Sequence, residues 1–244
     1  MEKNDINEEI NNLFDKLSIK EKELIKIYDN TDELIKICKG FENEEIELYA
    51  TFMKNKIKIN NCNIIGDLFE DLFFYEIKNK LLDFEEGPKQ SSPDFYGMNK
   101  NFEFEQKLFM INPGFDIGNF TSYVNQLSSE NGVYRKLFNT KYLIFEYFMN
   151  IDKNIIIKKF HYLNVYNIVS YNGKYPISMQ VKKNIWYNIR PDSVKNWYLD
   201  NKTPKVFIEK IIECINICPH IENKDEKINS INKQFDEIQS KYTF

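Results

Sequence analysis

Histidine and glycine are scarce, at 2 and 8 among 244 residues. His161 and His220 stand far apart, so a histidine-based nuclease or a zinc site with imidazole ligands has too little to work with. No Gly-rich phosphate loop occurs, and no nucleotide cofactor is expected. Neither a Gly-x-Ser-x-Gly elbow nor a plausible Cys–His pair marks a hydrolase of another kind. The 4 cysteines, Cys38, Cys62, Cys214 and Cys218, are too few and scattered for a disulfide framework and fit reduced thiols in a cytoplasm. Cys214 and Cys218 precede His220 but sit on an amphipathic stretch with no second ligand pair, and read as core. No run of ~18 apolar residues is present, so no membrane span is expected. The opening MEKNDINEEINN has no apolar signal core, and a cytoplasmic location is expected.

What is there suffices for a sizeable core. Hydrophobic residues make up 42% and aromatics 15%, enough for one large domain or one domain with a small helical addition. The net charge of −4 argues against a nucleic-acid partner until its distribution is seen. Residues 1–50 hold 7 Lys against 14 Asp or Glu, whereas residues 153–210 hold 11 Lys or Arg against 3 acids. A locally basic stretch can supply phosphate contacts in an acidic chain. A solvated Lys-rich surface would have the same composition.

Three regions emerge. Residues 1–60 read as a helical arm or cap: Ile10, Leu13, Phe14 and Leu17 fall at helical spacing, as do Leu24, Ile27 and Tyr28. Thr31 and Asp32 mark a helix start, and NEEIELYATFMKNKI is expected to be another helix. Residues 61–220 carry the main domain. There NIIGDLFEDLFFYEIKNKLL forms a strong helix with Ile65, Leu68, Phe69, Leu72, Phe73 and Ile77 on one stripe, and KYLIFEYFM reads as a buried central strand. DIGNFTSYVNQL and TPKVFIEKIIECINICP are expected helices. Residues 221–244 are a charged helix or tail.

The chemistry concentrates in SSPDFYGMNKNFEFEQKLF. Two short β-prone runs flank a turn-prone segment at Met98–Asn101. A hairpin centred between Asn99 and Lys100 places Asp94 opposite Glu105. Glu103, Glu105 and Lys107 then share one strand face, with Lys107 ~7 Å from Glu105 by strand rise. Phosphodiester cleavage needs an activated water and compensation of charge on the phosphate and the leaving oxygen, all of which a magnesium ion can supply. Magnesium takes one or two carboxylates and keeps water and phosphate in its other positions. Asp94 and Glu105 are therefore candidate metal ligands, and Lys107 can orient the water or balance phosphate charge. Glu70, one turn from the small residue Gly66 on the preceding helix, can hold outer waters or a second ion. An acid two residues before a lysine also occurs at Glu76, Asp200, Glu222 and Asp225, so the pattern alone is weak. Only Glu105 sits in an expected strand with Pro-Asp in the partner strand. An ordinary charged hairpin face would read alike.

SPDF, then FEFEQK, preceded by GDLFEDLFF, resembles the PD-(D/E)xK nuclease core. PGFDIGNFTSYVNQL, TKYLIFEY and YPISMQVKKNIWYNIRPDS then follow in the order seen in type II restriction endonucleases of the NgoBV and NlaIV kind, over roughly residues 64–191. The resemblance implies an α/β (α+β) fold with a mixed central sheet flanked by helices, magnesium, a homodimer, and cleavage of double-stranded DNA at a short palindrome with outer G·C pairs. Asp94 and Glu105 match the acidic motif positions, Lys107 the motif lysine and Glu70 the acid of the leading helix. Gln106 departs from the apolar residue usual at its place.

PISMQVKKNIWYNIRPDS shows the clearest alternation in the chain. Ile177, Met179, Val181, Ile185, Tyr187 and Ile189 are expected on one face, and Gln180, Lys182, Asn184, Trp186, Asn188 and Arg190 on the other, in one long strand or a hairpin bent at Lys182–Asn184. Gln and Asn can pair with adenine edges, and Arg and Lys with guanine edges. Gln180, Lys182, Asn184, Asn188 and Arg190 are thus candidates for base contact, and Lys183 and Lys174 for phosphates. A charged sheet edge facing solvent would look the same. A repair or junction-resolving nuclease of the same fold, and a non-catalytic module binding nucleic acid or protein, are the alternatives. The dimer interface is expected in 1–60, whose apolar stripes have no obvious partner.

Overall fold

The computed structural model describes residues 31–241 except 60, 82–83, 89–91, 98–99, 101, 111 and 172. The helices expected within 1–30 therefore lie outside the described residues. A helix over residues 31–39 (α1) leads into strand β1 (Glu45–Ile46) and a hairpin of β2 (Tyr49–Phe52) and β3 (Asn55–Lys58). Helix α2 (Cys62–Lys80) precedes β4 (Glu85–Glu86), β5 (Phe95–Gly97) and β6 (Phe102–Phe109). Then come β7 (Gly118–Asn119), α3 (Phe120–Ser128), β8 (Thr140–Met149) and β9 (Ile155–Leu163). The hairpin β10 (Met179–Lys182) and β11 (Ile185–Ile189) is followed by α4 (Pro204–Ile217) and α5 (Lys224–Lys241).

Six strands form one mixed sheet in the order β1-β9-β8-β6-β5-β4. β6 and β8 are parallel and the other neighbours antiparallel. β8 is central because both its faces are apolar. Leu143, Phe145 and Tyr147 join Leu34, Ile65, Phe69, Phe73 and Ile77 from α1 and α2 in one buried cluster. Tyr142 and Ile144 join Val124 and Leu127 of α3, Ile211 and Ile215 of α4 and Ile231 of α5 in the other. Helices thus cover both faces, and burial on two sides explains the unbroken run of β8. Asn119 caps α3, its Oδ1 accepting from the Ser122 amide at 3.1 Å, and Thr203 caps α4 with Pro204 in the first turn. The segment 221–244 contains α5, whose Ile231, Phe235 and Ile238 are buried. Cys38, Cys214 and Cys218 are buried free thiols, in keeping with core packing. No helix among the described residues is long and apolar enough to cross a membrane.

Two local expectations fail. NEEIELYATFMKNKI is not helical: β1 pairs with β9, and β2 pairs with β3 around Met53 and Lys54, which have φ of 46° and 71°. A two-residue turn with positive φ at both positions matches the twist of a hairpin, and the open edge of β9 recruits β1. Helix propensity is a weak prior against such pairing. The second concerns residues 177–190. They form a hairpin turning at Lys183 and Asn184, with φ of 50° and 64°, and its register puts Lys182 opposite Ile185 and Val181 opposite Trp186. Trp186 therefore points inward and is 6% exposed, whereas Ile185 and Tyr187 face out. A bulge between Met179 and Val181 then brings Ile189 back into the core.

Candidate active site

The β5–β6 hairpin builds the site. Phe95 pairs with Phe104, Tyr96 with Glu103 and Gly97 with Phe102, the register expected from the sequence. Phe95 and Phe104 anchor the strands in the α2 cluster, so Glu105 and Lys107 face the other way. Asp94 precedes β5, and its Oδ2 accepts from the Gln106 amide at 2.7 Å and from Lys107 Nζ at 3.3 Å. Lys107 Nζ also donates to Glu105 Oε2 at 3.2 Å. One ammonium thus bridges two carboxylates. Ser92 Oγ donates to the other oxygen of Glu105.

Burial shapes the charges. It is the main influence on Asp94, raising its pKa against the pull of Lys107. Glu70 is pushed up to about 7, first by burial and then by Asp94. Burial alone would lower Lys107, but Glu105 and Asp94 together outweigh it, and its pKa is raised. Lys107 is therefore held as a cation.

These groups line a cleft of about 700 Å³ between α2 and α3, to which α2 contributes Asp67, Glu70 and Asp71, and α3 Ser122, Tyr123 and Gln126. A second cavity of about 540 Å³ shares Asp67, Glu70 and Lys107 and continues past Gly66. A Cβ at Gly66 would meet nothing within 4 Å, so the space beside Glu70 is open. The first cleft carries Asp67, Glu70, Asp71, Glu86, Asp94, Glu105 and Asp116 against Lys107 and Lys136. Such an excess of carboxylates repels a phosphodiester unless a cation is added. The donors are hard oxygens, and among the described residues no group of three or more His, Cys, Asp or Glu could hold a metal. A pair of carboxylates with room for water and phosphate suits magnesium, which seldom takes an all-protein cage. Asp94 and Glu105 are the pair that could hold it.

The structure brings Asp94, Glu105, Lys107 and Glu70 to one cleft. The β10–β11 residues are more dispersed. Arg190 Nη1 reaches Asp116 Oδ1 and the Gly114 carbonyl, each at 2.8 Å. Asn188 Nδ2 donates to Asp116 Oδ2 at 2.7 Å and approaches Gln180 Oε1 at 3.5 Å. Lys182, Lys183 and Asn184 are exposed at the tip, where the Asn184 carbonyl meets the His220 ring at 3.0 Å. Exposed Lys174 lies over the Tyr175 ring, 5.4 Å from its centroid. Gln180, Asn188 and Arg190 thus sit at the base of the hairpin, tied to the cleft wall through Asp116. Sequence reasoning missed Ser92, Lys136 and Asp116. Ser92 had a signal, standing next to Pro93-Asp94. Lys136 and Asp116 had none, since long-range packing alone brings them to the cleft.

A mixed sheet covered by helices, with Pro93-Asp94 leading into β5 and Glu105-Gln106-Lys107 on the adjacent β6, is the PD-(D/E)xK nuclease fold. The chain belongs to the NgoBV restriction endonuclease family, whose model matches residues 22–243. The family likeness thus extends well beyond residues 64–191. The type II restriction enzyme NlaIV of Neisseria lactamica is 28% identical over 152 residues. That alignment spans 60% of this chain and 60% of the relative's length. The solved structure of the NlaIV restriction endonuclease superposes with a TM-score of 0.69 at 22% identity, covering 92% of this chain and 91% of that one.

Proposed function

We propose that this protein is a magnesium-dependent type II restriction endonuclease. It hydrolyses double-stranded DNA as a homodimer, cutting a short palindrome with outer G·C pairs and leaving 5′-phosphate ends. The observation that carries this reading is the bridging of Asp94 and Glu105 by Lys107, at 3.3 and 3.2 Å, inside an acidic cleft. Family membership agrees with it.

Asp94 and Glu105 are the residues that would hold the magnesium. When bound, the ion supplies acidity to water and offsets charge on the phosphate and the leaving oxygen. Lys107 is drawn between the carboxylates when no other cation is present. With the metal and DNA in place it turns its charge to the attacking water and the phosphate. The water oxygen bonds to phosphorus, the bond from phosphorus to the 3′ oxygen breaks, and that oxygen takes up a proton. Lys107 acts through charge and hydrogen bonding, which strengthen toward the transition state. Glu70, with its pKa raised to about 7, would accept or orient a proton of water in the cleft. Sequence readout falls to Gln180, Asn188 and Arg190 at the hairpin base. Lys182, Lys183, Asn184 and Lys174 contact the phosphates and the groove rim.

Incubating the protein with plasmid DNA and magnesium tests the reading. Discrete fragments with 5′-phosphate ends are expected. Nicks restricted to branched or damaged DNA would instead indicate a repair nuclease, and intact DNA a binding module.

A further inference from the structure

The cleft holds a second ammonium that the hydrolytic scheme does not use. Lys136 lies in the π-helical turn Arg135–Asn139 that runs into β8, and its side chain is only 4% exposed. Its Nζ donates to Ser92 Oγ at 3.1 Å and lies 3.7 Å from Glu103 Oε2. Glu103 has other partners. Thr140 Oγ1 donates to its Oε2 at 3.0 Å, and Arg135 Nη1 stands 3.7 Å from its Oε1. Lys136 is thus more than the counter-ion of a buried acid, because it is also aimed at Ser92.

The chemistry of that contact fixes a direction. An ammonium only donates, so Ser92 Oγ must accept from Lys136, and the serine proton must go elsewhere. It goes to Glu105 Oε1. Glu105 Oε2 takes Lys107 at 3.2 Å. Each oxygen of Glu105 has its own donor, one from its own strand and one relayed from the turn before β8. Lys107 is needed on the substrate during hydrolysis. The Ser92–Lys136 relay is then the hold on Glu105 that persists.

We propose that Lys136 is a positioning residue: through Ser92 it fixes the orientation of the Glu105 carboxylate toward the divalent cation. This rests on the reading of Asp94 and Glu105 as metal ligands. Hydrogen-bond partners behind a metal ligand set its orientation, and losing one costs about 10–100-fold in metal affinity or activity. A bystander charge would behave oppositely. Removing a cation from beside two carboxylates makes the site more negative, and metal binding tightens.

The test is manganese binding to the full chain without DNA, followed by the electron paramagnetic resonance signal of the free ion. Ser92→Ala and Lys136→Met are each expected to weaken binding about tenfold. The double variant should be no worse than the weaker single one, because both break one relay. Ser92→Thr keeps the hydroxyl and should restore near-native affinity. Equal or tighter binding by folded Lys136→Met, or additive losses in the double variant, would overturn the proposal. If melting shows that Lys136→Met does not fold, the exposed Ser92 decides: no loss in Ser92→Ala, or no rescue by Ser92→Thr, overturns it equally. Asp94→Asn separates the two levels. Unchanged manganese binding there removes the metal reading and this proposal with it. Binding lost in Asp94→Asn but intact in Ser92→Ala and Lys136→Met removes only the positioning role.

Discussion

The amide of Gln106 donates to Asp94 Oδ2 at 2.7 Å, so the backbone between Glu105 and Lys107 holds the acid that leads into the neighbouring strand. The hairpin is therefore locked at the candidate site, and changes to its side chains should alter charge before they alter shape.

Asp94→Asn and Glu105→Gln are accordingly expected to fold and bind DNA while cleavage falls more than about 100-fold, beyond the usual loss of a ligand's supporting partner. DNA binding should hold or strengthen, since a carboxylate repelling phosphate is removed. Plasmid cleavage with magnesium and gel-shift binding without it measure the two effects. Cutting at near the native rate by either variant would remove it from the site.

Lys107→Ala should keep DNA binding and lose about 100- to 1,000-fold in turnover, the scale for removing a preorganised charge from a developing anion. Single-turnover cleavage at saturating magnesium reads this directly. Glu70→Gln should be less severe than Asp94→Asn, and the reverse order would mean that Glu70 is the principal metal ligand.

The hairpin predicts a division by position. Arg190→Ala or Gln180→Ala should cost about 1–3 kcal/mol on the cognate duplex and little on scrambled DNA. Lys182→Ala or Lys183→Ala at the exposed tip should weaken both and flatten the salt dependence. Binding at two ionic strengths places each residue. If neither Arg190→Ala nor Gln180→Ala alters recognition, the hairpin is not the reading element.

Stability should respond to acid through His161. Its Nδ1 lies 2.7 Å from Tyr198 Oη, and its pKa is lowered to about 4 by burial first and Lys159 second. The unfolded chain protonates this ring near 6.5. Between those values the unfolded state binds more protons, so stability falls as pH drops through the window and rises as pH increases. His161→Gln should shrink the gap between melting temperatures at pH ~7 and ~5 relative to the parent. An unchanged gap would show that His161 does not carry the effect.

A palindrome cut on both strands is most simply met by a symmetric pair of sites. Sedimentation should give a two-fold dimer, on DNA at least. A monomer both free and on cognate DNA would exclude it. Loss of dimerisation on deleting residues 1–30 would assign the interface to that segment.

Local pattern determined much of this. The turn-prone segment between two β-prone runs set the register that pairs Phe95 with Phe104, because side chains alternate strictly along strands. The apolar stripe of α2 and the unbroken run of β8 likewise announced their burial, since periodicity depends on near neighbours. Tertiary structure decided the rest. Residues 45–46 became a strand on the open edge of β9, more than 90 positions away, while residues 49–58 paired with each other around a tight turn, and Lys58 reaches the Asp152 carbonyl in the turn before β9. Trp186 turned inward because a two-residue turn and a bulge reset the alternation, and both depend on the paired strand. Lys136 joined Ser92 across 44 positions and Asp116 joined Arg190 across the cleft wall. Such contacts arise when helices and strands pack into layers, and the intervening chain carries no periodic trace of them.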